Sequence, residues 1–306
     1  MRLDLPGLSL PPSVEGSAEF RGRALLPEQL ESRILSERRT IRIWLPPSYE
    51  ACPEFRYPVL YLHDGQNMLS VEGPQVAYGW GTWEIDRSVE RLVAAARMRE
   101  VILVAVYNTP RRYREYRGRV APGSRTPGNR EHERYAAFLI TELKPMLDRR
   151  LRTLPGPETT GVLGASMGGL CSLVLSWDHP QVFGVAASLS GAFQVERAHF
   201  LQRVLRPYGG PPKPIRVYLD SGASSGDGGD DGRSCTAAVT CELRRIGWRD
   251  GMDLWFHVEE SLLTADQLRP LGLPEDKFRE AQVAQHNELY WRQRVWRPLQ
   301  FLFPIP

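Results

Sequence analysis

The sequence predicts an α/β architecture, a mostly parallel central sheet with helices on both faces. Three observations carry this. Short, mostly apolar runs recur at 58–62 (PVLYL), 101–106 (VILVAV) and 160–164 (TGVLG), as strands buried on both faces require. Stretches of helical periodicity separate them, so strand and helix alternate. The chain has 306 residues, 42% of them hydrophobic and 25% charged, enough to bury a large core.

The elements follow in order. Residues 1–33 open rich in proline and charge and read as an N-terminal arm, with the catalytic domain running from 34 to 306. The period-two run 39–45 (RTIRIWL) is the first strand and 58–62 the second. Residues 85–97 read as a helix with Ile85, Val89, Leu92 and Val93 on one side. Residues 101–106 form a buried strand, 131–150 a helix, and 160–164 a strand that runs into a helix over 166–177. Strands follow at 183–189 and 214–219, then a helix at 236–246, a strand at 253–258 and a closing helix at 288–301. The segment 259–285 is an insert with a helix-like stretch from 274 to 284. It is either a cap beside the active site or a packed surface helix.

Composition excludes several classes. A net charge of +3 is too small for a nucleic-acid binder. Three lysines stand among 39 basic residues, which reflects either coding bias or recognition of planar anions by arginine. Cys52, Cys171, Cys235 and Cys241 form no CxxC pair and no metal-ligand spacing with histidine; no cofactor is expected. The N-terminus lacks an apolar core of signal-peptide length, and no run of about 18 apolar residues exists, so no membrane partner is expected. A reducing, cytoplasmic location is the default expectation. Nothing in the sequence fixes the oligomeric state.

In parallel sheets, chemistry collects in the loops at the carboxyl ends of the strands. One such loop is Gly164-Ala165-Ser166-Met167-Gly168, which fits G-x-S-x-G between a predicted strand and a predicted helix. The turn is sharp, so the residues two before and two after the serine must be small. Ser166 would project above the sheet, with a helix N-terminus favouring negative charge beside it. The alternative is a serine N-cap with packing glycines.

A serine nucleophile needs a base. His199 lies close behind the nucleophile strand and His257 lies inside a strand. His286 lies beyond the last strand, just before the closing helix, and is the expected base. An acid should follow the strand at 214–219. Asp220 closes that strand and reads as structural, which leaves Asp227, Asp230 and Asp231. Asp231, near the start of the next helix, is favoured. The same loop also permits a flexible solvated reading, and its spacing lacks the bidentate glutamate of a calcium loop. The main-chain nitrogens of Met167 and Gln66 are the expected oxyanion donors. His63 and Asp64, just before, read as loop-shaping residues.

With these residues assembled, the chain resembles a family of esterases of the α/β-hydrolase fold. That family includes enterochelin esterases, S-formylglutathione hydrolase, feruloyl and acetylxylan esterase domains, and bacterial mycolyltransferases. The resemblance runs from about residue 34 to the C-terminus. It rests on LHDGQNML (62–69) with Trp83-Glu84-Ile85-Asp86, on Asn108-Thr109 with Glu115-Tyr116, on GASMGGL (164–170), on YLDSG (218–222) and on HNELYWRQRVWRPLQFLF (286–303). It implies Ser166 as nucleophile, His286 as base, an aspartate from the 220s loop and no catalytic metal. Two departures stand out: residues 1–33 are too short for the β-sandwich that precedes some members, and 259–285 separates the last strand from the histidine.

A loop rich in arginine (Arg111, Arg112, Arg114, Arg117, Arg119, Arg125, Arg130) lies on the catalytic edge. It either steers an anionic ester or is a solvated basic loop, partly paired with Glu115 and Glu131. Trp83, Tyr113 and Arg112 are the expected substrate contacts, with Trp80 and Tyr107 as further aromatic candidates. The leading function is hydrolysis of a small-molecule carboxylic ester through an acyl-serine. An acyltransferase using the same acyl-enzyme and a silent binding module are the alternatives.

Overall fold

The structure, a computed structural model, describes residues 21–119 and 130–305. Nine strands among these residues form one sheet: β1 (Arg23–Ala24), β2 (Glu28–Leu30), β3 (Arg39–Leu45), β4 (Val59–Leu62), β5 (Ile102–Val106), β6 (Thr160–Ala165), β7 (Val185–Leu189), β8 (Arg216–Gly222) and β9 (Leu254–Glu259). The order is β1-β3-β5-β4-β6-β7-β8-β9, with β2 also on β3. From β5 to β9 every neighbouring pair is parallel, and β3 is antiparallel to β5.

The apolar runs are strands because both faces are covered. In β4, Tyr61 enters one core cluster with Ile41, Val104 and Val162, while Leu60 and Leu62 enter the other with Trp44, Leu103 and Leu163. Alternation thus divides one continuous apolar run between two helical layers. The helices are α1 (Ile85–Ala94), α2 (Arg112–Tyr116), α3 (Glu131–Ala137), α4 (Lys144–Arg150), α5 (Met167–Asp178), α6 (Val195–His199, left-handed in its middle), α7 (Arg233–Ile246), α8 (Ala265–Leu268), α9 (Glu275–Ala281), α10 (Glu288–Arg294) and α11 (Trp296–Leu302). Among the described residues, no helix is long and apolar enough to cross a membrane.

Several boundaries differ from expectation for local reasons. α1 stops at Ala94, not Arg97: Arg97 N donates to Leu92 O and Ala96 N to Val93 O around Ala96 at φ 51°. This is a Schellman ending with alanine where glycine is usual. The helix expected over 131–150 contains a π-helical turn, Phe138–Leu143, just ahead of Pro145, which has no N–H to give Thr141. The closing helix divides at Val295 into α10 and α11, because Pro298 leaves the Arg294 carbonyl without its i+4 donor. β8 runs on to Gly222, so Asp220 lies inside the strand and does not close it. It pairs with His257 of β9 and is fully buried, its charge met by Arg294 at 3.2 Å.

Of the proline-rich arm, residues 1–20 lie outside the described residues. Arg23–Ala24 and Glu28–Leu30 lie along β3 as short antiparallel strands. The insert holds α8 and α9. Its Leu268 and Ala281 form a small apolar cluster with Trp80, Leu289 and Tyr290, and Lys277 sits 4.8 Å over the Trp80 ring.

Candidate active site

The serine turn is built by its glycines. Ser166 has φ 53° and ψ −121°, a conformation that costs an L-residue on the order of 1–3 kcal/mol and needs outside support. Support comes from both sides: Ser166 N donates to Leu189 O at 3.0 Å, and Ala192 N donates to Ser166 O at 2.9 Å. A Cβ on Gly164 would stand 2.7 Å from the carbonyl carbon of Gly168, so strand end and helix start touch backbone to backbone. The serine Oγ makes no hydrogen bond among the described residues, and α5 begins directly beneath it.

His286 lies in the loop before α10. Its Nδ1 is 2.5 Å from Asp231 Oδ1, and its ring packs edge-on against Trp291, centroids 5.1 Å apart. Gln285, fully buried, fixes the loop. Its Oε1 accepts from Ala223 N at 2.6 Å and Ser224 N at 3.2 Å, while its Nε2 donates to Glu259 O and Ser261 O. All the amide's hydrogen-bonding capacity is thereby used to join the acid loop, the end of β9 and the histidine.

Of the three aspartates left open, the structure places Asp231 against His286. Asp227 and Asp230 turn to their own loop: Asp227 accepts from Ser225 Oγ and Gly229 N, and Asp230 from Ser234 N at the start of α7. Asp231 is 2% exposed, at φ 53°. Its second oxygen accepts from Ser190 Oγ at 2.6 Å and from Gly222 N, and Arg294 Nη2 lies 3.4 Å away. Burial works against its charge, but the His286 hydrogen bond and the Arg294 guanidinium hold the carboxyl below the usual aspartate range. Ser190 Oγ also receives Trp291 Nε1 at 3.0 Å and Arg294 Nη2. Ser190 directly follows Leu189, so this hydroxyl joins the serine turn's support to the acid and to α10.

The loop after β4 approaches from the other side. Asp64 adopts a left-handed conformation, φ 57°, and Gly65–Asn67 forms one 3-10 turn. A Cβ on Gly65 would lie 2.6 Å from the β5 backbone, so only glycine fits there. Neither Gln66 N nor Met167 N makes a hydrogen bond among the described residues. His63 is fully buried, with Nδ1 3.0 Å from Tyr135 Oη; burial lowers its pKa to about 3 and keeps the ring neutral. Asp64 binds Arg112 through both oxygens, at 2.6 and 2.7 Å, and also accepts from Asn108 Nδ2. Both residues do shape the loop.

The expected substrate contacts fare unevenly. Trp83 is 1% exposed and packs on Trp291, centroids 5.5 Å apart. It corrects the expectation of a substrate-facing indole: at the entry to α1 the ring finds apolar core beneath it, and it supports the bed on which His286 rests. Arg112 is held by Asp64 over the Tyr116 ring. Tyr113 is half exposed and donates to Glu196. The arginine loop is largely neutralised. Arg111 pairs with Glu37 and Glu131, Arg117 with Glu196 and Arg119 with Asp178, while Glu115 is taken by the buried Arg39; Arg125 lies outside the described residues. Sequence reading missed Ser190, Gln285, Trp291 and Arg294. A signal existed for Arg294, a charge among the apolar positions of the closing helix.

Sheet order, the serine at the end of β6 and the histidine beyond β9 define an α/β-hydrolase fold. The family model described as "Putative esterase" matches residues 32–257, and the chain belongs to that esterase family. The match includes Gln66, Ser166 and Asp231 and ends before His286. A ferulic acid esterase structure superposes with a TM-score of 0.65 at 18% identity, covering 94% of this chain and 99% of that one. The enterobactin esterase of Shigella flexneri, solved in the presence of enterobactin, gives 0.65 at 17% identity, over 96% of this chain and 62% of that one. These two likenesses establish the fold. The uncharacterised protein YbbA of Bacillus subtilis is 22% identical over 61% of this chain and 69% of its own length.

Proposed function

We propose that the chain hydrolyses a small-molecule carboxylic ester through an acyl-serine intermediate. Ser166 is the nucleophile, His286 the base and Asp231 the acid that orients it. The observation that carries this reading is the 2.5 Å contact between Asp231 and His286 at the carboxyl edge that also bears the strained Ser166 turn. With Asp231 on Nδ1, the His286 Nε2 is the nitrogen left to take the serine proton. The hydrogen bond from Ser166 to that nitrogen would form in the substrate complex. The uncommitted N–H groups of Gln66 and Met167 would receive the oxyanion, and His286 would then activate water for deacylation.

The ferulic acid and enterobactin esterases among the structural neighbours suggest ferulic acid esters and enterobactin as the first substrates to try. The four unbridged cysteines suit a reducing compartment, in keeping with a cytoplasmic location. The test is covalent labelling by a fluorophosphonate. The wild-type protein should take one label, on Ser166, and Ser166→Ala should take none. Equal labelling of both proteins would refute the assignment.

A further inference from the structure

Glu288 is the first residue of α10, two positions after His286. Its Oε1 accepts a hydrogen bond from Asn67 Nδ2 at 3.1 Å, and Asn67 directly follows Gln66. The carboxyl therefore bridges the loop of the proposed oxyanion donor and the loop of the proposed base. The groups that act on it are Asp64 from the β4 loop, Arg112 from α2 and His286 from its own loop. Arg112 commits Nε and Nη2 to Asp64, and no ion pair to Glu288 is made among the described residues. Burial, aided by the Asp64 charge and opposed by its own backbone N–H, His286 and Arg112, pushes the Glu288 carboxyl up to about 7.

The charge around the serine thus differs from what an arginine-rich loop suggests. Arg111, Arg112, Arg117 and Arg119 each have a carboxylate partner. Asp64 is spent on Arg112 and lies against the nucleophile helix, 3.3 Å from where a Cβ on Gly168 would stand. What remains at the junction of the two loops is a carboxyl that accepts from the Asn67 amide and from its own backbone N–H, with no ion-pair partner among the described residues.

We propose that Glu288 sets the charge specificity of the site, favouring esters that carry a cationic or hydrogen-bond-donating group near the scissile bond and disfavouring carboxylated or phosphorylated ones. A carboxylate at the junction of the loops that carry the proposed base and the proposed oxyanion donor attracts the first group and repels the second. The neutral and ionised forms of Glu288 should differ in this respect, so discrimination should fade as pH falls through about 7. The inference rests on Ser166 and His286 being the reacting pair.

The test uses three phenyl butyrates with para trimethylammonio, carboxamide or carboxylate groups. Each kcat/KM is divided by the ester's alkaline hydrolysis rate, which removes leaving-group differences. At pH 8 the wild type should favour the cationic over the anionic ester by about tenfold, and this ratio should shrink towards pH 6. Glu288→Gln keeps an oxygen for Asn67 and should lower the ratio at least about threefold and flatten it with pH; Glu288→Lys should invert it. A wild-type preference for the anion, or a ratio indifferent to both substitutions, overturns the inference. Fluorophosphonate labelling of the same samples separates the two readings. If Ser166 labels and the ratio ignores Glu288, this inference alone fails. If Ser166 takes no label and no ester turns over, both fall.

Discussion

Arg294 Nη2 meets Asp231 Oδ2 at 3.4 Å, and its Nε meets Asp220 Oδ1 at 3.2 Å, with all three side chains almost wholly buried. One guanidinium thus serves two carboxylates, one from inside β8 and one from the loop beyond it. Truncating one member of a buried charge cluster leaves the rest uncompensated. Arg294→Met should cost about 3–5 kcal/mol in denaturant unfolding. A loss within about 0.5 kcal/mol would show that the aspartates find other partners.

On the proposed mechanism, Asp231→Asn should lower kcat by about 10⁴-fold with a much smaller change in KM, because the amide would no longer hold His286 in the orientation that accepts the serine proton. Asp227→Asn and Asp230→Asn should stay within a few-fold of wild type, since both carboxylates bind only their own loop. If Asp227→Asn or Asp230→Asn gave the large loss instead, the acid would have to be reassigned.

Gly164→Ala places a methyl 2.7 Å from the Gly168 carbonyl carbon, and rigid backbone cannot yield as a side-chain tip can. We expect about 1–3 kcal/mol of destabilisation and loss of fluorophosphonate labelling at temperatures where the variant remains folded. Full labelling would mean that the turn tolerates a wider separation of strand and helix.

His63 gives the protein an acid sensitivity of definite sign. Its folded pKa, about 3, lies below the unfolded value near 6.5, because burial disfavours the imidazolium. Above about pH 6.5 neither state is protonated and the group adds no pH dependence. Below that the unfolded chain takes up the proton first, so stability falls with pH until about 3. His63→Gln should remove this component, visible as a shallower decline of unfolding free energy between pH 6.5 and 4. An unchanged slope would mean that the ring is already protonated in the fold.

The central strands were legible because 59–62, 102–106 and 160–165 are buried on both faces and carry no competing polar signal. Ser166 was legible for a related reason, since few residue types survive in so tight a turn. Which aspartate meets His286 was not. Asp227, Asp230 and Asp231 sit in a glycine-rich loop without periodicity, and what separates them is burial by Ser190, Gly222 and Arg294, partners from the residue after β7, from β8 and from α10. Trp83 misled because residue type suggests a binding surface, whereas its fate was set by Trp291, more than 200 positions away. Gln285 looked like an ordinary loop polar residue; its role arises only once three chain segments converge on one amide.

The pairing of residues 23–30 along β3 has a consequence outside the chemistry. A long outer strand exposes a row of unused N–H and C=O groups on which another chain can build. Here that flank of β3 is covered by a strand of two residues and another of three, with Leu25 N bonded to Ile43 O between them. Such interrupted cover offers a second molecule too little regular backbone to extend the sheet. Removing residues 21–30 would uncover β3 over its length and expose it to edge-to-edge pairing with other molecules.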